Sequence, residues 1–395
     1  MKLSRRAEDM PYSAIRKLAP FAEEAKKKGI HVFHLNIGQP DIDTPPEIFE
    51  AIAHYREKVL RYGPSAGLLE LRVAVVDYHR NLGFDIDIDN VWITTGGSEA
   101  ILFAMMTVCD PGDEIIVFEP FYTNYNGLAV MSQVKLVPIT TEVEKGFHLP
   151  PKEVIEEKIG SKTKAILINT PNNPTGTVLT EEEMFIINGL CKKYGLFLLS
   201  DEVYREFVYD QRTHISTLSL SEIEDRVIVM DSISKRFSAC GARVGSIISR
   251  NKMIMDRLLK FAQARLCPPT LEQVGAVAAY KNIDKYIKPM IEEYELRRNI
   301  LFEELPAVPG VYGHRPEGAF YTVLRLPVDN TDKFCEWLLT DFNHENKTVM
   351  LAPANGFYSS PDKGVNEVRI AYVLKEKDLR EAIKVLKAAL QAYQG

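Results

Sequence analysis

The sequence predicts an α/β fold in which helices cover a largely parallel sheet. Two observations predict it. Short apolar runs of strand length alternate with longer amphipathic segments over residues 91–249, as in strands that are joined by crossover helices. The chain of 395 residues, 46% of them hydrophobic, is also long enough to bury two or three cores. Ligands of such sheets bind beyond the carboxyl ends of the strands, so we expect the functional site there.

Seven segments predict the strands of this sheet. In chain order they are VWITT (91–95), EIIVFEP (114–120), VKLVPI (134–139), KAILINT (164–170), GLFLLSD (195–201), RVIVMD (226–231) and GSIIS (245–249). Helices are predicted between them at 98–109, in the segment that follows EIIVFEP up to about Met131, and at 181–195. The last helix ends in a glycine, and Lys192 and Lys193 suit the negative end of its dipole.

The pattern changes after residue 284. A long amphipathic segment, 286–305, is followed by two strand-like runs and two further helical segments, which together indicate a smaller α+β domain. The strand-like runs are 319–326 and 367–372, and the helical segments are 331–342 and 376–393. We predict an N-terminal segment that contributes to the small domain, a large domain and a small C-terminal domain, with bounds 1–45, 46–284 and 285–395.

Composition excludes several classes of protein. The net charge of −6 argues against nucleic acid as a partner, because phosphate binding needs a basic surface. The five cysteines are widely spaced without a CxxC pair, which predicts neither disulfides nor a metal site. No signal peptide and no apolar run of about 18 residues is visible. We expect a cytoplasmic protein with no membrane partner.

Four predicted strand ends carry polar or charged residues. TGGSEA (95–100) opens a helix with free backbone N–H groups, which suit an anion. PNNPTG (171–176) forms a rigid loop that projects amide side chains. DEVY (201–204) places an Asp at the end of an apolar strand, where burial is costly without a cation or several donors. SISKRFSACGARVG (232–245) adds one lysine, two arginines and three serines.

Each of these motifs alone also fits a structural role, as a helix cap, a plain turn or a solvated loop. Their combination suits pyridoxal phosphate. The aldehyde of this cofactor needs a lysine and its pyridine nitrogen needs a carboxylate, while its phosphate needs backbone donors and a cation. GxGxxG and GxxxxGK[ST] are absent, which argues against a dinucleotide site or a P-loop. The absence of GxSxG and HExxH argues against a hydrolase or a zinc protease.

With these motifs the chain resembles the class I/II aminotransferases of fold type I, and the aspartate aminotransferase branch in particular. The resemblance runs from LNIGQPDIDTPP (35–46) to NEVRIAY (366–372) and also includes YGPSAGLLELR (62–72), GGSEA (96–100), EPFYTNY (119–125), PNNPTG, SDEVY (200–204) and SISKRFSACGARVG. It implies a mainly parallel seven-stranded sheet with a smaller α+β domain. It also implies pyridoxal 5′-phosphate as cofactor and a homodimer with shared active sites.

The resemblance assigns roles around the cofactor ring. Lys235 would form the Schiff base with the aldehyde and act as the catalytic base. Asp201 would pair with the pyridine nitrogen and keep it protonated. Tyr204 and Asn173 would donate hydrogen bonds to the ring oxygen, and Tyr122 would stack on the face of the ring.

The remaining roles concern the two ends of the bound molecule. The cofactor phosphate is expected at Gly97, Ser98, Ser232, Ser234 and Arg243, with Tyr62 reaching the phosphate of the neighbouring subunit. The substrate α-carboxylate is expected at Arg369, with Gly38 and Asn173 close to it. Cis peptide bonds are expected before Pro120 and Pro174. Arg236 has no assigned partner and is expected to be a solvated loop residue.

The expected reaction is a ping-pong transamination with aspartate as amino donor and 2-oxoglutarate as acceptor. At two positions where relatives carry a cation for the distal carboxylate, this chain has Ser98 and Ala262. Arg265 and Arg16 are the candidates to replace that cation. The open alternatives are an aromatic or alanine aminotransferase, a β-lyase, or a non-catalytic binding protein of the same fold.

Overall fold

A computed structural model describes residues 3–393. Its strands are β1 (His31–His34), β2 (Val91–Thr94), β3 (Glu114–Glu119), β4 (Lys135–Thr140), β5 (Thr163–Asn169), β6 (Phe197–Asp201), β7 (Val227–Ser232), β8 (Gly245–Ile248), β9 (Tyr312–Gly313), β10 (Tyr321–Arg325), β11 (Lys347–Met350), β12 (Ala352–Pro353) and β13 (Glu367–Ala371).

Its α-helices are α1 (Arg5–Asp9), α2 (Ala19–Lys27), α3 (Pro46–Ala53), α4 (Leu69–Asn81), α5 (Gly96–Val108), α6 (Asn124–Ser132), α7 (Lys152–Glu156), α8 (Glu181–Tyr194), α9 (Ile233–Arg236), α10 (Lys252–Arg265), α11 (Thr270–Lys281), α12 (Ile283–Glu304), α13 (Thr331–Thr340) and α14 (Glu376–Ala392). Across residues 3–393, no helix has the length and apolar character needed to cross a membrane.

The largest sheet has seven strands in the order β2-β8-β7-β6-β5-β3-β4. All neighbours from β7 to β4 pair in parallel, whereas β8 runs antiparallel to both β7 and β2. The predicted α/β fold with a mainly parallel sheet of seven strands is therefore confirmed. The parallel direction brings the carboxyl ends of β5, β6 and β7 to one edge of the sheet.

Both faces of this sheet are buried, and residues of one strand alternate between two cores. In β3, Ile115 and Val117 belong to one apolar cluster, whereas Ile116 belongs to the other. In β6, Leu198 and Leu199 divide in the same way. Burial on both faces explains why the strands appear in the sequence as continuous apolar runs.

The helix predicted at 181–195 shows how local sequence sets an element's ends. Thr180 and Glu183 form a capping box, in which each side chain accepts a hydrogen bond from the other residue's backbone N–H. At the other end, Gly195 adopts the left-handed backbone conformation, with φ of 67°. The helix therefore starts and stops where the sequence predicts.

The N-terminal segment and the C-terminal part of the chain form a second unit around a separate apolar core. Four strands pair in the order β12-β13-β10-β9, and β1 pairs in parallel with β11. This pairing joins the N-terminal segment to the C-terminal part of the chain. The predicted domain bounds stay a prediction, and the boundary at residue 284 falls in the first turn of α12.

Candidate active site

A pocket of about 710 Å³ lies where β5, β6 and β7 end. Its walls also include the start of α5, the N-terminal segment and residues of the second unit. The predicted site residues that line it are Gly38, Gly97, Ser98, Tyr122, Asn173, Asp201, Tyr204, Ser232, Ser234, Lys235, Arg243 and Arg369. The fold therefore brings together predicted site residues that are up to 331 positions apart in the chain.

Tyr62 is the predicted site residue that does not line the pocket. Its side chain is exposed, with 81% of the residue accessible. The resemblance assigns it to the phosphate of a neighbouring subunit, and an exposed position is compatible with that role. The role of Tyr62 stays a prediction.

Lys235 lies on the short helix α9, which Ser232 caps by accepting a hydrogen bond from Ser234 N. Its Nζ donates to the backbone oxygen of Gly38 at 2.7 Å and lies 3.7 Å from Cys240 Sγ. The lysine amine is thus directed into the pocket and contacts the N-terminal segment. Sequence reasoning did not single out Cys240, which has no motif of its own.

Asp201 is buried at the end of β6. Its Oδ2 accepts a hydrogen bond from Tyr125 Oη at 2.7 Å, and Oδ1 accepts one from Val203 N at 3.4 Å. Burial raises the pKa of Asp201 to about 6, while the hydrogen bond from Tyr125 opposes the rise. Within residues 3–393 no cationic side chain pairs with this carboxylate, so it suits a protonated nitrogen on a ligand.

An anion cradle lies at the N-terminus of α5, a helix of 13 residues. Arg243 adopts a φ of 54° and packs its guanidinium against Gly96, where a Cβ would lie 2.4 Å from Nη2. Gly96 itself has a φ of 75°, in the left-handed region that favours glycine. Ser232 Oγ and Ser234 Oγ lie 2.8 Å apart beside this helix end. Backbone N–H groups, hydroxyls and a guanidinium together suit a phosphate.

Arg369 is a fully buried cation without a carboxylate partner in the described part of the chain. Its Nη1 donates to Asn173 Oδ1 at 3.0 Å, and Nη2 donates to the backbone oxygen of Asn36. Its Nε is buried without any partner. Burial lowers the pKa of Arg369. A buried guanidinium with unused donors suits a substrate carboxylate.

Tyr204 and Tyr321 connect the two units of the molecule. Their hydroxyl oxygens lie 2.9 Å apart, and Tyr321 Oη donates to the backbone oxygen of Gly38 at 3.4 Å. A Cβ at position 38 would lie 1.7 Å from Tyr321 Oη, so only glycine fits there. Sequence reasoning missed Tyr321, because a tyrosine in an apolar strand has the pattern of a core residue.

Two aromatic residues of the motif EPFYTNY act differently. Tyr122 lines the pocket, as predicted for a ring that stacks on the cofactor. Burial, followed by the proximity of Tyr321, raises the pKa of Tyr122 to about 12. Tyr125, which contacts Asp201, was missed, although its position three residues after Tyr122 at a helix start was a signal for shared orientation.

Of the two candidate arginines for a distal carboxylate, Arg16 lines the pocket and Arg265 does not. The Arg265 Nε lies 3.2 Å from Glu99 Oε1, and its Nη2 donates to the backbone oxygen of Ile93 at 3.2 Å. Lys17 pairs with Asp332, whereas Arg16 forms no ion pair with any residue from 3 to 393. Arg16 is therefore a free cation at the pocket.

Cis peptide bonds precede Pro120 and Pro171. The first was predicted, but the second was expected before Pro174, and that expectation is wrong. The chain changes direction where it leaves β5. The residues after Pro171 then close a turn in which Gly176 N donates to Asn172 O at 2.9 Å.

The expectation that Arg236 is a solvated loop residue is also wrong. Its side chain is 0% exposed and pairs with Glu206 and Asp231, each at 2.7 Å. Lys235 lines the pocket, whereas the adjacent Arg236 does not. Its carboxylates stand 30 and 5 positions away in the chain, so no local pattern indicates that they neutralise it.

The family model described as aminotransferase class I and II matches residues 30–386 of this chain. The chain belongs to the class I and II aminotransferase family. It is 34% identical over 387 residues to an aspartate aminotransferase from Thermotoga maritima, which covers 96% of this chain and 97% of the relative. It is 32% identical to aromatic-amino-acid aminotransferase 2 from Thermococcus litoralis, with 99% of each chain covered.

A solved structure of an alanine aminotransferase from Pyrococcus furiosus superposes on this chain with a TM-score of 0.89. The two are 32% identical, and the match covers 99% of this chain and 100% of the other. The protein is thus an aminotransferase with the fold of its family. Enzymes of this family use pyridoxal phosphate.

The pocket of this aminotransferase fits pyridoxal phosphate by its own chemistry. The buried carboxylate of Asp201 lacks a cation, which the pyridine nitrogen would supply. The end of α5 and Arg243 suit the phosphate. Lys235 provides an amine within the same pocket. The pocket thus offers a different group to each of the cofactor's ring nitrogen, phosphate and aldehyde.

Proposed function

We propose that this aminotransferase holds pyridoxal 5′-phosphate through Lys235 and transfers the amino group of aspartate to 2-oxoglutarate in ping-pong order. One observation carries the choice of an acidic substrate. Four cationic side chains line the pocket against a single carboxylate, that of Asp201. The cations are Arg16, Lys235, Arg243 and Arg369.

Three of these cations have a use with any amino acid. Lys235 holds the cofactor, Arg243 contacts its phosphate, and Arg369 binds the substrate α-carboxylate in the bidentate manner that guanidinium favours. Arg16 has no such use and no ion pair within the described residues. A second carboxylate on the substrate would neutralise it, which supports aspartate, glutamate and their oxo acids as substrates.

When bound, the cofactor supplies an electron sink that stabilises negative charge at the substrate Cα. The protein supplies the rest of the chemistry. Lys235 Nζ, once free, accepts the Cα proton as a general base. The Asp201 carboxylate would keep the cofactor nitrogen protonated, and Tyr204 and Asn173 would donate hydrogen bonds to the ring oxygen. Arg369 orients the substrate so that the Cα proton faces the lysine.

We also propose a homodimer in which Tyr62 of each subunit completes the phosphate site of the other. Tyr62 is exposed in the single chain, and Val59 and Leu60 beside it are each more than half exposed. Such a group of exposed apolar side chains is typical of a surface that another chain covers.

The substrate proposal is tested with steady-state kinetics of the purified holoenzyme on aspartate, alanine and tyrosine, each with 2-oxoglutarate. We expect Arg16→Gln to raise the KM for aspartate about 10- to 100-fold, as for a lost charged hydrogen bond, and to leave the KM for alanine unchanged. Lys17→Gln is the control, because Lys17 is adjacent but pairs with Asp332. An equal effect of Arg16→Gln on all three substrates would contradict the role of Arg16.

The chemical role of Lys235 is tested with Lys235→Ala, which should abolish turnover and retain some cofactor binding. Turnover close to that of the wild type in this variant would overturn the assignment. Adding an amino acid alone distinguishes transamination from β-elimination. Transamination converts the cofactor to its amine form with one equivalent of oxo acid, whereas a β-lyase releases ammonia continuously.

An aromatic amino acid is the second candidate substrate. Tyr122, Tyr321, Ile37 and Ile101 line the same pocket, and they offer apolar surface for a ring. A higher kcat/KM for tyrosine than for aspartate in the wild type would favour this candidate.

A further inference from the structure

Arg236 forms the centre of a buried cluster of charges on the side of α9 away from the pocket. Its three nitrogens each have a separate partner. Nε donates to Glu206 Oε1 at 2.7 Å, Nη2 to Asp231 Oδ2 at 2.7 Å, and Nη1 to Tyr280 Oη at 2.9 Å. The guanidinium also lies 4.6 Å from the ring centre of Tyr78. Each nitrogen of the guanidinium therefore donates one hydrogen bond.

The two carboxylate partners of Arg236 belong to segments that carry the site. Asp231 is on β7, and its Oδ1 accepts a hydrogen bond from Ser232 N at 2.7 Å. Glu206 lies two residues after Tyr204, in the turn that follows Asp201. Arg236, which follows Lys235, thus bonds to the segment that carries Ser232, an expected phosphate ligand. It also bonds to the segment that carries Asp201 and Tyr204, which are expected to contact the cofactor ring.

Helix α9 has little support of its own. It spans four residues, which is about one turn, and so short a helix is unstable without tertiary contacts. Arg236 is its last residue and Lys235 the one before it. A planar guanidinium with three fixed hydrogen bonds restrains the backbone of its neighbour far better than a flexible side chain would.

We propose that Arg236 is a positioning residue that fixes the backbone of Lys235 relative to Asp201 and Ser232. This inference rests on the proposed role of Lys235. In this arrangement the backbone that carries the lysine is held in place because Arg236, the next residue, bonds to Asp231 on β7 and to Glu206 in the turn after β6.

The test is Arg236→Lys, which keeps the charge near Asp231 and Glu206 and removes the planar fork. We expect kcat to fall about 10- to 100-fold, as for a small misplacement of a reacting group, while the KM for the amino acid stays within threefold. The dissociation constant of pyridoxal phosphate should rise. Hydrogen exchange of residues 232–238 in the full-length protein should become faster, both with and without the cofactor.

Arg298→Lys is the matched control. Arg298 is also 0% exposed and pairs in bidentate fashion with Asp210, at 2.6 and 2.8 Å, but it lies on α12 and does not line the pocket. It should lower the thermal midpoint similarly without changing kcat or the exchange of residues 232–238. The proposal is overturned if Arg236→Lys keeps either the wild-type kcat or the wild-type exchange, or if Arg298→Lys causes the same loss of kcat.

The exchange measurement separates this inference from the proposed function. It needs neither cofactor nor substrate, so it reports on the link between Arg236 and the Lys235 turn by itself. If the wild type neither binds pyridoxal phosphate nor transfers amino groups, the proposed function fails. If the wild type is active and exchange in Arg236→Lys is unchanged, the Arg236 inference alone fails.

Discussion

The charge of Asp201 depends on its burial and on one hydrogen bond. Burial raises its pKa to about 6, and the hydrogen bond that Tyr125 donates counteracts part of that rise. The carboxylate is ionised above this pKa and neutral below it. Because a neutral carboxylic acid cannot pair with a protonated ring nitrogen, we expect pyridoxal phosphate to bind more weakly as the pH falls through about 6.

Removal of the Tyr125 hydroxyl tests this dependence. In Tyr125→Phe the pKa of Asp201 should rise further, so the loss of affinity should begin about one pH unit higher. The measurement is quenching of protein fluorescence by pyridoxal phosphate between pH 5 and 8. Tyr358→Phe is the control, since Tyr358 also donates to a buried carboxylate, Glu367, at 2.7 Å but lies outside the pocket. Identical pH profiles for Tyr125→Phe and the wild type would refute the link.

At the scale of elements, a cluster around His148 fastens the two units near the loop that carries Asn173. His148 Nδ1 lies 3.0 Å from Glu183 at the start of α8, and Nε2 lies 3.5 Å from Glu317. Glu317 N and Gly318 N both donate to the backbone oxygen of Gly176. The hydrogen bond with Glu183, and then that with Glu317, raises the pKa of His148 to about 9.

This shift makes a stability prediction with a definite sign. A histidine whose pKa is raised on folding stabilises the protein fully below its unfolded pKa, near 6.5, and this contribution is lost as the pH rises through about 9. His148 is partly exposed, so we expect only about 1–2 kcal/mol after allowance for solvent screening. The thermal midpoint of His148→Gln should lie below that of the wild type at pH 6.5.

At pH 10 the midpoints of His148→Gln and the wild type should nearly coincide. Comparing the two proteins at each pH removes the contribution of lysines and tyrosines that also titrate there. His54→Gln is the control, because His54 is exposed. The difference in thermal midpoint between His54→Gln and the wild type should be the same at pH 6.5 and pH 10. A constant gap between His148→Gln and the wild type across this range would show that the ion pairs contribute nothing.

At the scale of the whole molecule, the proposed dimer predicts that two defective chains can complement each other. In a heterodimer of Lys235→Ala and Tyr62→Ala, one site lacks both groups and the other keeps both. We therefore expect the mixed dimer to be more active than either variant alone, and the particle mass to be twice the 44.7 kDa of the chain.

The affinity of Tyr62→Phe for pyridoxal phosphate tests the same shared site by an equilibrium measurement. Loss of one hydrogen bond to a phosphate should raise the dissociation constant about tenfold. Tyr312→Phe serves as control, because Tyr312 is exposed but lies on β9. A monomeric active enzyme, or no activity gain in the mixed dimer, would rule out shared sites.

The large sheet and most of the candidate site could be predicted from the sequence. The apolar runs predict the strands because both faces of the sheet are buried. Asp201 was identifiable because a carboxylate at the end of such a run is costly to bury without a cation or several donors. Lys235 was identifiable only together with the other strand-end motifs, because its own stretch also fits a solvated loop. The resemblance to known aminotransferases added Arg369, which no local pattern would have connected to residues 196 positions away, such as Asn173.

The contacts that support these residues could not be predicted from the sequence. Arg236 is buried because carboxylates from other segments neutralise it, and Tyr321 reaches Tyr204 because β10 packs against the pocket. The structure also distinguishes the two candidate arginines, because Arg16 lines the pocket whereas Arg265 pairs with Glu99. The partner of each of these side chains depends on which segments pack against it in the fold. A pattern in the sequence records only the neighbours along the chain.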